Sequence, residues 1–140
     1  MRIDCALLCD AATVREGLLH VLGGGVTRVN RPGFPAPIAP LTLAVRILVH
    51  PTETDRAHHL DIRLQDADGG ELAKIEVQFG VNDPGNVDPG EEVSVPMPLI
   101  MPEPLILPHA GRYSFELLID GSHQLAVPFT ATQVEAEGGA

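Results

Sequence analysis

Residues 58–79, HHLDIRLQDADGGELAKIEVQF, decide the fold of this chain. Inward-facing side chains alternate with polar ones on both sides of the segment Asp66–Gly70, and Lys74, Glu76 and Gln78 mark the polar positions of the second half. A period of two is typical of half-buried strands, and an Asp- and Gly-rich segment between two such runs is typical of a hairpin turn. We therefore expect an antiparallel β-hairpin with one apolar and one polar face.

The same alternation recurs on both sides of this hairpin, in residues 3–9, 17–22, 26–29, 41–49, 93–99, 111–120 and 125–129. Turn-forming residues separate these runs, because the 140 residues include 14 Gly and 13 Pro. Short strands spaced about 8–12 residues apart favour an antiparallel sandwich over a parallel sheet. The sequence predicts an all-β fold, an antiparallel β-sandwich of about eight strands that is immunoglobulin-like or C2-like. One domain is expected over 1–132, followed by a flexible tail over 133–140.

The two cysteines lie close together in the first predicted strand. If residues 3–9 form a regular strand, Ile3, Cys5, Leu7 and Cys9 share one face. Cys5 and Cys9 are then about 13 Å apart, too far for a disulfide bond. We therefore expect two free thiols, which suit a reducing compartment such as the cytoplasm.

Glycine and proline predict the irregular parts of the chain. Residues 10–16 are expected to be a connection, and the three glycines at 23–25 are expected to form a bulge or bend between two half-strands. A phosphate-binding loop would need a helix directly after these glycines, and strand-like residues follow instead. Pro96 and Pro98 alternate within 93–99, and this pattern predicts an edge strand because proline cannot donate to a neighbouring strand.

Two resemblances narrow the fold. Gly111, Arg112 and Tyr113, preceded by Leu107 and Pro108, resemble the entry to the penultimate strand of immunoglobulin-like sandwiches. That resemblance implies that the Tyr113 hydroxyl bonds to the backbone just upstream.

Residues 6–12 (ALLCDAA), 17–24 (GLLHVLGG) and 111–121 (GRYSFELLIDG) resemble an uncharacterised family of small bacterial proteins. The similarity spans nearly the whole chain. This resemblance implies a β-rich structure and does not imply any particular activity.

Charge and composition exclude several classes of partner. The formal net charge is -10, and a surface this acidic repels nucleic acid and anionic lipid. One Tyr, four Phe and no Trp leave few rings on which bases could stack. Asp4 and Asp10 bracket an apolar run too short for a signal peptide, and no run approaches the length of a membrane span. We expect a cytoplasmic protein that binds neither nucleic acid nor membrane.

Acidic residues gather in two predicted loops, at 51–56 and 81–91. Because the strands between them run up and back, both loops should lie at one end of the sandwich. Some calcium-binding sandwiches collect carboxylates at one end in this way, although the sequence lacks a C2-like repeat. The calcium candidates are Glu53, Asp55, Asp83, Asp88, Glu91 and Glu92, with a solvated acidic rim as the simpler interpretation.

Catalytic and cofactor chemistry have weak support in the sequence. The six histidines fit no zinc spacing and are expected at the surface or at strand ends: His20, His50, His58, His59, His109 and His123. A Cys9–His20 pair is conceivable, but Cys9 shares the parity of apolar residues and a buried thiol is unreactive. Ser94, Ser114 and Ser122 lie outside any nucleophile elbow. We therefore predict no catalytic residues and no cofactor.

The sequence favours a non-catalytic β-sandwich that acts through protein contact or self-association, with an unidentified protein partner or as a homo-oligomer. The alternatives are a sandwich that binds a divalent cation or small ligand through the acidic loops, and a small hydrolase-like enzyme. A pocket with converging polar groups would distinguish the enzyme from the other two.

We predict that millimolar calcium raises the melting temperature no more than NaCl of equal ionic strength. A ligand bound by the native state stabilises that state, whereas salt merely screens repulsion among the acids. Pro84 and Pro89 divide the second loop into separate turns, which do not fix the six to eight oxygens that calcium prefers. A calcium-specific rise of several degrees, lost in Asp83→Asn or Asp88→Asn, would contradict this expectation.

Overall fold

The structure, a computed structural model, describes residues 1–81 and 88–135. In these residues the chain is all-β, with one short 3-10 turn at Pro51–Glu53. The strands are β1 (Arg2–Cys9), β2 (Ala11–Arg15), β3 (Leu18–Leu22), β4 (Arg28–Arg31), β5 (Ala36–Pro37), β6 (Thr42–Val49), β7 (His58–Asp66), β8 (Glu71–Phe79), β9 (Val93–Ile100), β10 (Ile106–Leu107), β11 (Gly111–Ile119) and β12 (Ser122–Gln133). No helix within the described ranges is long and apolar enough to cross a membrane.

The strands form several sheets. The largest has five strands in the order β4-β12-β11-β7-β8, and a second has three strands in the order β1-β6-β9. Two further pairs, β2–β3 and β5–β10, are separate two-stranded sheets. Neighbouring strands are antiparallel except for β4 and β12, which run parallel.

One hydrophobic core joins the two larger sheets. Alternate residues of β6 and β11 are fully buried, among them Val45, Ile47, Phe115 and Leu117. These residues belong to one contiguous cluster, which also takes in the inward residues of β7. Burying each large apolar side chain contributes about 1.5–3 kcal/mol, so the inward-facing positions hold the two sheets together.

The predicted hairpin at 58–79 is confirmed. β7 and β8 pair antiparallel, and Asp66 closes the turn by accepting hydrogen bonds from the N–H groups of Asp68 and Gly70 at 3.0 and 2.9 Å. A second hairpin joins β11 to β12 through Asp120 and Gly121, whose φ angles are +49° and +83°. Positive φ at both central residues is typical of a type I′ turn, which matches the twist of the two strands.

The expected face for the cysteines is wrong in part because β1 contains a bulge. Ile3 pairs with Ile47, but the next paired residue is Cys5, so the register shifts at Asp4. Ile3 faces the core before the bulge, and Leu8 faces it afterwards. Cys5 and Cys9 lie on the opposite face from Leu8, and both are free thiols. An extra residue in one strand reverses the parity of everything that follows it, and alternation alone does not reveal it.

The glycines at 23–25 are a connection between sheets, which corrects the expectation of a bulge between two half-strands. β3 ends before them in a two-stranded sheet, and β4 begins after them in the five-stranded sheet. Gly25 and Val26 both donate their N–H groups to the Leu8 carbonyl, at 3.0 and 2.8 Å. The segment is therefore tied to β1 while it crosses to the other sheet.

The proline-rich strand lies at a sheet edge, as predicted. Among the described strands β9 pairs with β6 alone, and Pro96 and Pro98 lie opposite Arg46 and Ala44. At the C-terminus, Val134 still donates to the Arg31 carbonyl at 2.9 Å. The rest of the predicted tail, 136–140, lies outside the described residues.

We predict that Tyr113→Phe lowers the free energy of unfolding by about 1–3 kcal/mol, the usual cost of losing a buried hydrogen bond. The Tyr113 hydroxyl donates to the His109 carbonyl at 2.5 Å, and the residue is 3% exposed. Phenylalanine keeps the ring stacked on Phe129, so the loss reports the hydroxyl alone. Chemical denaturation measures the change, and an unaltered midpoint would contradict this role for the hydroxyl.

Candidate functional site

The described parts of the two predicted acidic loops lie at one end of the three-stranded sheet. β6 and β9 pair up to Val49 and Val93, so the segment that follows β6 and the one that precedes β9 emerge side by side. Glu53 and Glu92 therefore share this end, as the sequence predicted. Asp83 lies outside the described residues.

Four of the described carboxylates at this end contact other groups of the chain itself: those of Glu53, Asp55, Glu91 and Glu92. Glu53 binds the N-terminal amine at 2.8 Å, and this ion pair lowers the pKa of Glu53. Glu92 lies 3.4 Å from Arg2. Asp55 contacts its neighbour Arg56, and the Glu91 carboxylate accepts the N–H of Asp88. Within the described residues, no three Asp, Glu, His or Cys side chains come close enough together to hold a metal ion.

His58 is the first residue of β7, one of the strand ends at which histidines were expected, and its side chain is buried there. It is 1% exposed, and its Nδ1 lies 2.7 Å from Asp120 Oδ2. Its Nε2 lies 2.7 Å from the Glu53 carbonyl oxygen, which can only accept. Nε2 therefore donates, and Nδ1 also donates because the pKa of Asp120 is lowered and its carboxylate is ionised, which is the arrangement of an imidazolium. The signal in the sequence was its parity, because His58 precedes Leu60 on the inward face of β7.

This arrangement is a structural cross-link between elements distant in the sequence. Asp120 also accepts the N–H of His59 at 2.9 Å, so the β11–β12 turn is fixed to the start of β7. Burial works to lower the pKa of His58, but the Glu53 carbonyl and the Asp120 carboxylate outweigh it and raise that pKa above its ordinary value. Both nitrogens are engaged and the ring is covered, so a substrate cannot reach them.

The proposed thiol–imidazole pair is not formed. Cys9 is fully buried, its Sγ lies 3.3 Å from the Thr42 carbonyl, and burial raises the pKa of its thiol. His20 instead shares an open depression of about 520 Å³ with Cys5 and with the ion pair between Asp4 and Arg46. This depression lies beside the β2–β3 hairpin.

The β2–β3 hairpin was missed in the sequence, where residues 10–16 were expected to be a connection. Arg15 pairs with Leu18, and the two residues between them have positive φ, +54° at Glu16 and +74° at Gly17. They form a two-residue turn of the type preferred by hairpins. The available signal was a Glu-Gly pair between two alternating runs, a weaker form of the usual Asn-Gly or Asp-Gly.

The base of the hairpin is closed by a tight contact. Asp10 donates its N–H to the Leu22 carbonyl at 3.1 Å. Gly23 follows at φ +65°, and a Cβ at this position would collide with the Asp10 carboxylate. The chain can therefore enter and leave the hairpin at one point because position 23 is glycine.

The hairpin lies over β6 and β9 and carries apolar side chains on both of its faces. One face consists of cross-strand pairs that are entirely apolar, Ala12 with Val21 and Val14 with Leu19. Its residues are partly covered, since Val14 is 40% exposed. The hairpin therefore covers the outer side of the three-stranded sheet without enclosing its own apolar surface.

The other face projects larger side chains into solvent. Leu18 is 61% exposed and Leu22 is 71% exposed. Ile100, 73% exposed, pairs with Thr42, which also pairs with Cys9, so it lies at the end of the sheet from which the hairpin emerges. We call Leu18, Leu22 and Ile100 the hairpin surface. Exposed apolar patches mark interaction sites in soluble proteins.

Comparison with known proteins finds a family match. The model of a family of unknown function, DUF6941, matches residues 4–132. This match confirms the resemblance seen at 6–12, 17–24 and 111–121. No curated protein matches the sequence.

We predict that stability falls as the pH rises from below 6.5, the ordinary pKa of histidine, through the raised pKa of folded His58. A group whose pKa is higher in the folded state binds its proton more tightly there, so its contribution is full at low pH and is lost as it deprotonates. The difference in unfolding free energy between wild type and His58→Gln should therefore shrink with rising pH. His59→Gln, at the exposed neighbouring position, is the control, and a difference independent of pH would contradict the imidazolium.

Proposed function

We propose that this chain, which belongs to the DUF6941 family of unknown function, is a non-catalytic protein that binds another protein through its hairpin surface. The observation that carries the proposal is the exposure of Leu18, Leu22 and Ile100, each more than 60% open to solvent. Large apolar side chains at such exposure cost solvation free energy, and a partner that covers them recovers it.

The net charge of the chain favours a protein partner with a basic surface. A net charge of -10 opposes association with phosphate backbones and anionic lipid headgroups. The same field accelerates encounter with a basic surface. The partner we propose therefore presents an apolar patch bordered by basic side chains.

The scaffold we propose is a sandwich, in which the five-stranded and three-stranded sheets face each other across the common core. The inward residues of both sheets in one hydrophobic cluster support this arrangement. The bond from Tyr113 to His109 supports its immunoglobulin-like variant. Two free thiols support a reducing compartment, which we take to be the cytoplasm.

The rigid attachment of the hairpin supports binding without a large change of shape. Its turn and its base are both hydrogen-bonded, and β2 continues from β1 after a single residue, Asp10. A preformed surface loses little conformational entropy on binding. Leu18 and Leu22 are therefore held in place before the partner arrives.

We predict that a photo-crosslinking amino acid at Leu18 forms a covalent adduct with a discrete second protein in the cells that naturally produce this chain. The same amino acid at Ala126, exposed on β12 in the other sheet, should form little adduct. Leu22→Ser should abolish the adduct at position 18, because it removes a second exposed apolar side chain from the same face of the hairpin. Mass spectrometry of the adduct identifies the partner.

Val134→Ser is the matched control, because Val134 is an exposed apolar residue outside the hairpin surface. Both serine variants should change the free energy of unfolding by less than about 0.5 kcal/mol, as is usual at exposed positions. Equal adduct at positions 18 and 126, survival of the adduct in Leu22→Ser, or adduct with a second copy of this chain alone would each contradict the proposal.

A further inference from the structure

The exposed edges of the two larger sheets differ in how they are protected. β9 carries Pro96 and Pro98, β1 is interrupted by the bulge at Asp4, and β4 has four residues. Prolines, bulges and shortness all hinder the addition of another strand. β8 is the remaining edge, with nine residues and no proline, and the described part of the chain pairs it on one side only.

The inward residues of β8 are incompletely covered. Ala73, Ile75 and Val77 pack against the core but remain partly exposed, whereas their partners on β7, such as Ile62, are 1% exposed or less. The core therefore reaches the edge of the sheet without being closed there. Another strand beside β8 would cover these side chains and pair the free backbone groups.

We infer that a second copy of this chain occupies this edge, with the two β8 strands antiparallel. A two-fold axis at the position of Ile75, between the two copies of that residue, relates the strands. This register places Ile75 opposite its equivalent and Ala73 opposite Val77 of the other copy. On the polar face it places Lys74 of each copy opposite Glu76 of the other. The five-stranded sheets then join into one continuous sheet.

Charge favours this register over the two neighbouring ones, and it alone of these forms cross-strand pairs of opposite charge. Two residues directly opposite each other in an antiparallel pair point to the same face of the sheet. The two-fold axis must therefore lie at a residue position and not midway between two residues, because only then do the apolar residues of one copy face those of the other. An axis through Lys74 or through Glu76 would set like charges opposite each other, which is destabilising. An axis through Ile75 makes two opposite-charge pairs, and Lys74 already lies 2.9 Å from Glu76 of its own chain.

This inference is independent of the proposed binding by the hairpin surface, because β8 belongs to the other sheet. The partner proposed for β8 is a second copy of this chain. Lys74 and Glu76 carry opposite charges on the polar face of β8, so this edge is complementary to an antiparallel copy of itself.

The test is sedimentation equilibrium of the full chain with charge-reversal variants. Wild type should be a dimer. Lys74→Glu and Glu76→Lys should each be about tenfold or more weaker as dimers, because each change replaces two attractive cross-strand pairs with two repulsive ones. Each variant alone should stay folded, since both side chains are exposed.

Mixing the two variants should restore dimerisation. Glu at position 74 of one copy then faces Lys at position 76 of the other, and the second pair is Glu76 with Lys74. The double variant Lys74→Glu/Glu76→Lys should likewise dimerise with itself. Leu22→Ser should leave the dimer unchanged.

A monomeric wild type would overturn the inference. So would single variants that dimerise as tightly as wild type, or a mixture that dimerises no better than either variant alone. Circular dichroism and the melting temperature of each variant separate a lost interface from a lost fold. Failure here with hairpin crosslinking intact would leave the proposed function standing.

Discussion

The inward-facing side chains of β6, β7 and β11 form one core, and the positions of the other elements follow from it. Leu43, Val45 and Ile47 of β6 are fully buried in the same cluster as Phe115 and Leu117 of β11. Because the side chains of a strand alternate, fixing these residues inward also fixes which residues face outward. The outer side of β6 is then covered by the β2–β3 hairpin, and the outer side of β8 carries the charged pair. The positions of the hairpin surface and of the charged face of β8 therefore both follow from which residues of the strands face inward.

Sequence alternation predicted this core and the hairpins that serve it, because turn chemistry and period two agree there. The β7–β8 turn has Asp and Gly at the required positions, and the edge position of Pro96 and Pro98 follows from their missing donors. The bulge at Asp4 could not be predicted, since one extra residue leaves no distinct pattern. The β2–β3 hairpin was missed in the sequence because Glu16 takes a left-handed backbone conformation that is uncommon for glutamate.

The candidate site was less predictable than the fold, for a physical reason. Glu53 and Glu92 lie at one end of the three-stranded sheet, but the partners of the acidic residues were not visible in the sequence. Glu53 pairs with the amine of Met1, which is 52 residues away, and Asp120 pairs with His58, which is 62 residues away. Such pairs depend on the return path of the chain, whereas the number of carboxylates depends on composition alone. The exposure of a side chain also depends on the path of the chain. In the sequence Leu18 and Leu22 resemble core residues, and the structure shows that they face solvent.

The two proposed surfaces lie on different sheets, and the two proposals are compatible. The hairpin lies on the outer side of the three-stranded sheet, whereas β8 is the edge of the five-stranded sheet. A dimer joined through β8 therefore leaves both hairpin surfaces free, related by the two-fold axis. Two linked sites convert a second binding event into an intramolecular one, so a modest apolar contact gains avidity for a partner that is itself repeated or dimeric. A small chain whose hairpin surface is limited to a few side chains would in this way hold a partner that one copy binds weakly.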